Sequence, residues 1–181
     1  MVSSRIKLND VPSWKEVIRL IKAVKRKGRS RDYLLISLLA KTGVRISELL
    51  GIRKKDVDLE EGTILIKQLK KREETYRKVF IPPELIPALS RYMAYLKPED
   101  RLFPITRRAA LKVIHKWTKD VLGRRIRAHA FRHAFALRIL ETTKNLELVR
   151  KVLGHGDYKV LKAYLDFNPI TYRDEILRAI E

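Results

Sequence analysis

An imidazole and a guanidinium three residues apart on one helix face can grip a single phosphate. The segment AHAFRHAFAL, residues 128–137, offers that pair in His129 and Arg132. His133 and Ala136 share their stripe. Phe131, Phe135 and Ile139 form a neighbouring apolar stripe that should enter the core and hold the pair at the edge of a cleft. A plain solvated basic face would show the same pattern. His129 and His133 also have the i, i+4 spacing of helical zinc ligands. No Glu lies between them as in HExxH, and the chain has no cysteine, so no metal is expected there. Arg45, in KTGVRISEL, begins a helix just after Gly43, where free backbone N–H groups favour an anion. A cation there opposes the helix dipole unless a phosphate or carboxylate compensates, and an ion pair to Glu48 is the simpler alternative. Lys70 and Lys71 sit where a hairpin tip is expected, placed either to enter a groove or simply to be solvated. Tyr164 follows Val160 by four residues and Leu161 by three, the spacing of a core tyrosine, whereas Tyr158 stands in a first helical turn.

These residues need elements to position them. Ser13 and Glu16 form a capping box that opens a helix ending near Gly28. A second helix should follow Ser30 as cap and stop at Gly43, and RISELLGI makes a third after two residues. GTILIKQ and YRKVFIP read as two strands joined by LKKREET, a hairpin inserted at 62–82. Pro82 and Pro83 end the second strand and start a helix over ELIPALSRYMAYL, with Pro87 in its first turns. Thr106 should cap a helix reaching Leu122. AHAFRHAFALRILETT is helical, NLELVRKVLG is capped by Asn145 and closed by Gly154, and DYKVLKAYLDF is capped by Asp157. A last helix starts at Thr171, with Asp174 as a weak capping-box partner. The pattern is mainly α with a small antiparallel β-sheet, an α+β fold in one domain, with residues 1–11 as a leader and 168–181 as a tail helix.

Lys+Arg number 41 against 21 Asp+Glu, a formal net charge of +20. The cations recur at 22–31, 67–78, 107–127 and 150–162, so a polyanion is expected on a folded body and not on a basic arm. Without cysteines there is neither a disulfide framework nor a cysteine zinc site. The run YLLISLLA is too short to span a bilayer and no signal peptide precedes it, so a soluble cytoplasmic protein is expected. One glutamine and three asparagines beside 34% charged residues match the composition of thermophile proteins.

Taken in order, Arg in TGVRISELLGI, a lysine in a β-hairpin, HAFRHAFA, then LGHGDYKVLKAY make a pattern of three boxes over nearly the whole chain. It resembles the catalytic domain of the tyrosine recombinases, the phage-integrase and Xer family, of archaeal type. The resemblance implies that Arg45 and Arg132 grip the scissile phosphate, with His129 and His155 completing the cradle. It implies Tyr164, nine residues past His155, as the nucleophile, and not Tyr158. The hairpin lysine would be the general acid. Hairpins lengthen by two residues at a time, which favours Lys70, and Lys71 is the alternative. Double-stranded DNA is the implied partner. Self-association on DNA is also implied, with a C-terminal helix using Ile176, Leu177 and Ile180 to dock on a neighbouring copy or fold back on its own domain. No cofactor, metal or ATP is implied.

Family members usually carry an N-terminal core-binding domain that clamps the other face of the DNA. That domain is expected to be absent here, leaving either a fragment or a naturally short protein. A type IB topoisomerase uses a similar Arg-Lys-Arg-His-Tyr set, but the LGH box and small size argue against it. A non-catalytic DNA-binding or regulatory module of the same fold is the remaining alternative.

Overall fold

The computed structural model describes residues 10–69, 74–154 and 176–180. The chain divides into two compact units, residues 1–135 and 136–181. Among the described residues no helix is long and apolar enough to cross a membrane.

The first unit opens with α1, Trp14–Lys27, which buries Val17, Leu20, Ile21 and Val24 at helical spacing. Each such side chain removed from water is worth about 1.5–3 kcal/mol. The capping box is present: Ser13 Oγ accepts from the Glu16 N–H at 3.2 Å, and Glu16 Oε2 accepts from the Ser13 N–H at 2.9 Å. Gly28 ends the helix, and a Cβ there would meet the Val24 carbonyl at 2.7 Å and Trp117 of α5 (below) at 2.9 Å. Only glycine allows that approach.

Helix α2, Ser30–Thr42, is buried from Asp32 through Ala40 and forms the centre of the core. Its cap differs from expectation. Arg29, in extended backbone, holds the N-cap position and Ser30 is already helical. Asp32 supplies the negative charge that a helix N-terminus favours, while also accepting from Arg31 at 2.8 Å and from Trp117 Nε1 at 3.3 Å. Helix α3 follows, Ile46–Gly51.

The sheet is antiparallel in the order β1-β2-β3, with β1 Val57–Asp58, β2 Thr63–Leu69 and β3 Glu74–Phe80. The expected hairpin is β2–β3, in register from Thr63↔Phe80 to Leu69↔Glu74. Strand β1 was not expected, since two residues ending in Asp carry neither the length nor the β-branched alternation of a strand. Its pairing of Val57 with Ile64 is set from the β2 side. Ile64, Ile66 and Val79 face the core, while Leu65, Lys67, Tyr76, Lys78 and Phe80 face outward.

The helix expected after the hairpin is shorter than its sequence. A 3-10 turn at Pro83–Leu85 precedes α4, Ile86–Met93, because Pro83 and Pro87 restrict the first turns. Helix α5, Arg107–Leu122, is capped by Thr106, whose Oγ1 accepts from the Ala109 N–H at 3.1 Å, and ends at Gly123. Phe103 and Phe131 are fully buried, and Tyr92 stacks on Phe103 at 5.8 Å while donating to the Leu102 carbonyl at 2.7 Å.

Helix α6, Ala128–Thr143, crosses the division between the units. In the second unit Lys144 takes a left-handed turn (φ 53), and Asn145 Oδ1 caps α7, Leu146–Leu153, at the Leu148 N–H. Residues 176–180 are helical and exposed. The helix expected from Asp157, and the start of the last helix at Thr171 and Asp174, lie outside the described residues.

Arg124, between α5 and α6, donates to both Glu16 oxygens at 2.5 and 2.9 Å. That bond, working against partial burial and aided by the Ser13 N–H, lowers the Glu16 carboxyl from 4.5 to about 2. A carboxyl depressed on folding stabilises the protein above its unfolded value, and that stability is lost as pH falls through the folded value. Unfolding midpoints should therefore decline between pH 4.5 and about 2. Glu16→Gln should be less stable at neutral pH and decline less over that window; equal slopes in chemical denaturation would refute the clamp.

Candidate functional site

The junction between α2 and α3 is three residues long, Gly43, Val44 and Arg45. Gly43 sits at φ 69, ψ 13, the left-handed geometry that turns the chain out of α2 and that L side chains adopt only at a cost. Its carbonyl accepts from Arg132 Nη1 at 2.5 Å, a contact between residues 89 apart in sequence. Arg132 is at 0% solvent exposure. Arg132 is therefore enclosed while His129, three residues before it, is exposed, and this face of the helix is not the solvated basic face that the pattern also allowed. Helix α6 is buried around most of its first turns, with Ala128, Ala130, Phe131, Arg132, His133 and Ala134 all buried and His129 alone on the surface. The alanines explain the difference, because short side chains on both flanks let neighbouring segments close over the helix. The rings of His129 and His133 meet edge-to-face, their centroids 4.6 Å apart. Among the described residues no group of three or more His, Asp or Glu side chains is placed to hold a metal.

Arg45 is the N-cap of α3, and its side chain is 37% exposed. Its N–H donates to Glu48 Oε2 at 2.8 Å and its Nη1 to Glu48 Oε1 at 3.2 Å, so the simple ion pair is present. The same carboxylate, whose side chain is 6% exposed, accepts a two-point fork from Arg77 of β3, both contacts at 2.9 Å. Burial alone would push the Glu48 carboxyl up. The Arg77 fork, the Arg45 N–H and the two guanidinium charges outweigh it, leaving the carboxyl below the ordinary range. Arg77 was not foreseen as part of this cluster. Strand alternation offered a signal: counting back from Val79 puts Arg77 on the inward face, where a charge needs a partner.

The structure thus brings Arg45 and Arg132 to one junction, with His129 and His133 on the same helix as Arg132. Lys70, Lys71, His155, Tyr158 and Tyr164 lie outside the described residues. The cations Arg108, Lys112, Lys116 and Lys119 line the exposed side of α5, and among the described residues none of them is ion-paired.

This helical body with a three-stranded antiparallel sheet has the fold of tyrosine-recombinase catalytic domains. The chain belongs to the phage integrase family, which it matches over residues 13–169. It is similar to the tyrosine recombinase XerA of Saccharolobus solfataricus, 34% identical over 163 residues covering 90% of this chain and 55% of that protein. It is similar also to a crystal structure of XerA recombinase, with a TM-score of 0.74 and 26% identity over 93% of this chain and 64% of that one. A crystal structure of the XerH site-specific recombinase bound to difH substrate in a pre-cleavage complex matches with a TM-score of 0.73 and 26% identity, covering 85% of this chain and 50% of the other. The chain spans about half the length of the relatives it matches.

Gly43→Ala should cost roughly 1–2 kcal/mol through the left-handed backbone and should displace the carbonyl that Arg132 holds. Thermal unfolding checks the first effect. A variant as stable as the parent would refute the assignment of strain to this position.

Proposed function

We propose that the chain is the catalytic portion of a site-specific recombinase that cleaves and rejoins DNA strands through a 3′-phosphotyrosyl intermediate. The observation that supports this most is the fully buried Arg132 on the Gly43 carbonyl, two residues before Arg45. Removing a guanidinium from water is costly, and here the buried guanidinium fixes the turn from which a second, partly exposed arginine can meet a phosphodiester.

In this proposal Arg45 and Arg132 hold the non-bridging oxygens of the scissile phosphate, with His129 and His155 completing the cradle. Tyr164 attacks the phosphorus. A phenol with a pKa of about 10 is a poor nucleophile at neutral pH, so it passes its proton to a cradle histidine, His129 or His155, as the bond to phosphorus forms. The arginines stabilise the charge that grows on the five-coordinate transition state, as oxyanion-hole donors do in acyl transfer. Lys70, or Lys71 in its place, protonates the departing 5′ oxygen. The phosphotyrosyl ester conserves the bond energy, so a 5′ hydroxyl can reverse the attack and reseal the strand without ATP or metal. The partner is double-stranded DNA, and the exposed cations of α5 add sequence-independent phosphate contacts. Copies of the chain are proposed to associate on DNA, where the exposed Ile176, Leu177 and Ile180 offer an apolar face for a neighbouring copy. A chain with this activity is expected to work in the cytoplasm.

Incubation with a nicked suicide substrate followed by denaturing electrophoresis tests this. A covalent protein–DNA band is expected that Tyr164→Phe abolishes, Tyr158→Phe leaves intact and EDTA does not change. Loss of the band in Tyr158→Phe instead would move the nucleophile, and binding without any band would favour a DNA-binding module. Arg45→Ala and Arg132→Ala should each slow band formation roughly 10²- to 10³-fold, as for a single oxyanion-hole donor; unchanged rates in both would remove the cradle.

A further inference from the structure

Glu48 stands between two arginines and bonds to both of them. With Arg77 present, the same carboxylate can fix Arg45 through its N–H and Nη1 while most of its own charge is met from the β3 side.

Arg77 is also placed where the hairpin joins the body. It pairs with Ile66 in the ladder and faces inward. Beyond it toward the tip, the next inward pair is Gln68 and Thr75, whose side chains bond to each other at 3.2 Å. Arg77 is therefore the inward side chain nearest the tip, among the described residues, that bonds a helix of the body. The last described strand pair, Leu69↔Glu74, lies three residues farther along, about 10 Å at the rise of a strand. Stability alone does not account for this choice. The Arg77 Nε is buried with no hydrogen-bond partner among the described residues, and a buried ion pair is commonly matched or bettered by apolar side chains of similar volume.

We propose that Arg77 is a positioning residue for strand cleavage: it holds Glu48 so that this carboxylate orients Arg45, and it ties β3 to α3 at the same point. The proposal rests on the recombinase reading above for its chemical consequence, and on the Glu48 cluster for its geometry.

Three variants test it: Arg77→Met, Arg77→Lys, and Arg77→Met combined with Glu48→Gln. Adduct formation is followed at saturating nicked DNA, and affinity for the same DNA is measured separately in a Tyr164→Phe background. Arg77→Met should slow capture about 100-fold, the effect of a misplacement of order 1 Å at a reacting centre, while affinity changes far less. Arg77→Lys should recover part of the rate, since it restores the charge without the fork. The double variant should be faster than Arg77→Met, because the stranded carboxylate is gone. A capture rate in Arg77→Met equal to wild type, or a fall in rate explained wholly by weaker binding, would overturn the proposal. A double-mutant cycle of Glu48 and Arg77 on thermal unfolding separates the two layers. Strong coupling with no wild-type adduct on any DNA would sink the recombinase reading, and with it the catalytic role given to Arg77. Absent coupling would sink the cluster itself, whatever the enzyme does.

Discussion

A guanidinium withdrawn from water must find its compensation inside the protein, and Arg132 imposes that demand on everything around it. The carbonyl it uses belongs to Gly43, and that carbonyl points the right way because Gly43 takes a left-handed conformation at the end of α2. The turn in turn sets where Arg45 opens α3. One buried donor thus couples the end of a core helix, the start of a short surface helix and the interior of α6. The alanines of α6 are buried beside Arg132, and α2, which Gly43 terminates, is buried from Asp32 through Ala40.

Most of the fold was legible because its signals are local. Ser13 with Glu16, Thr106 with Ala109, and Asn145 with Leu148 cap their helices as their spacing announces, and the β2–β3 hairpin follows from β-branched runs around a polar tip. What escaped depends on distant partners. Strand β1 exists because Ile64 and Thr63 offer it an edge, and the cap at Arg29 is settled by a helix whose first acid also answers Trp117 across 85 residues. The site divides in the same way. Arg45 and Arg132 were readable as candidate phosphate ligands by type, a role that stays a proposal, and the Arg45–Glu48 pair was readable by its three-residue spacing. Burial of Arg132 and His133 was not readable, since an alternating Ala/Phe/His/Arg segment has the same period whether one side or both are covered. The Arg77 contact spans 29 residues, and no local pattern could name its partner.

Acidic groups in the structure are concentrated at joints. Glu16 ties α1 to the segment before α6, Glu48 ties α3 to β3, Glu84 meets Lys41, and Glu99 meets Lys55. These pairs neutralise cations where segments cross and leave the α5 row exposed. The excess positive charge is therefore displayed on particular surfaces, which suits an extended polyanion better than a uniform charge would.

The sharing of Glu48 bears on how such a chain can change over generations. Losing Arg77 alone leaves a buried carboxylate short of its fork, and losing Glu48 alone brings two guanidiniums together without the anion between them. Each single step is expected to pass through a less stable chain, which makes single replacements at positions 48 and 77 costlier than a paired one. A different solution there is expected to need paired replacement, which makes the cluster, and not any one of its residues, the unit of change.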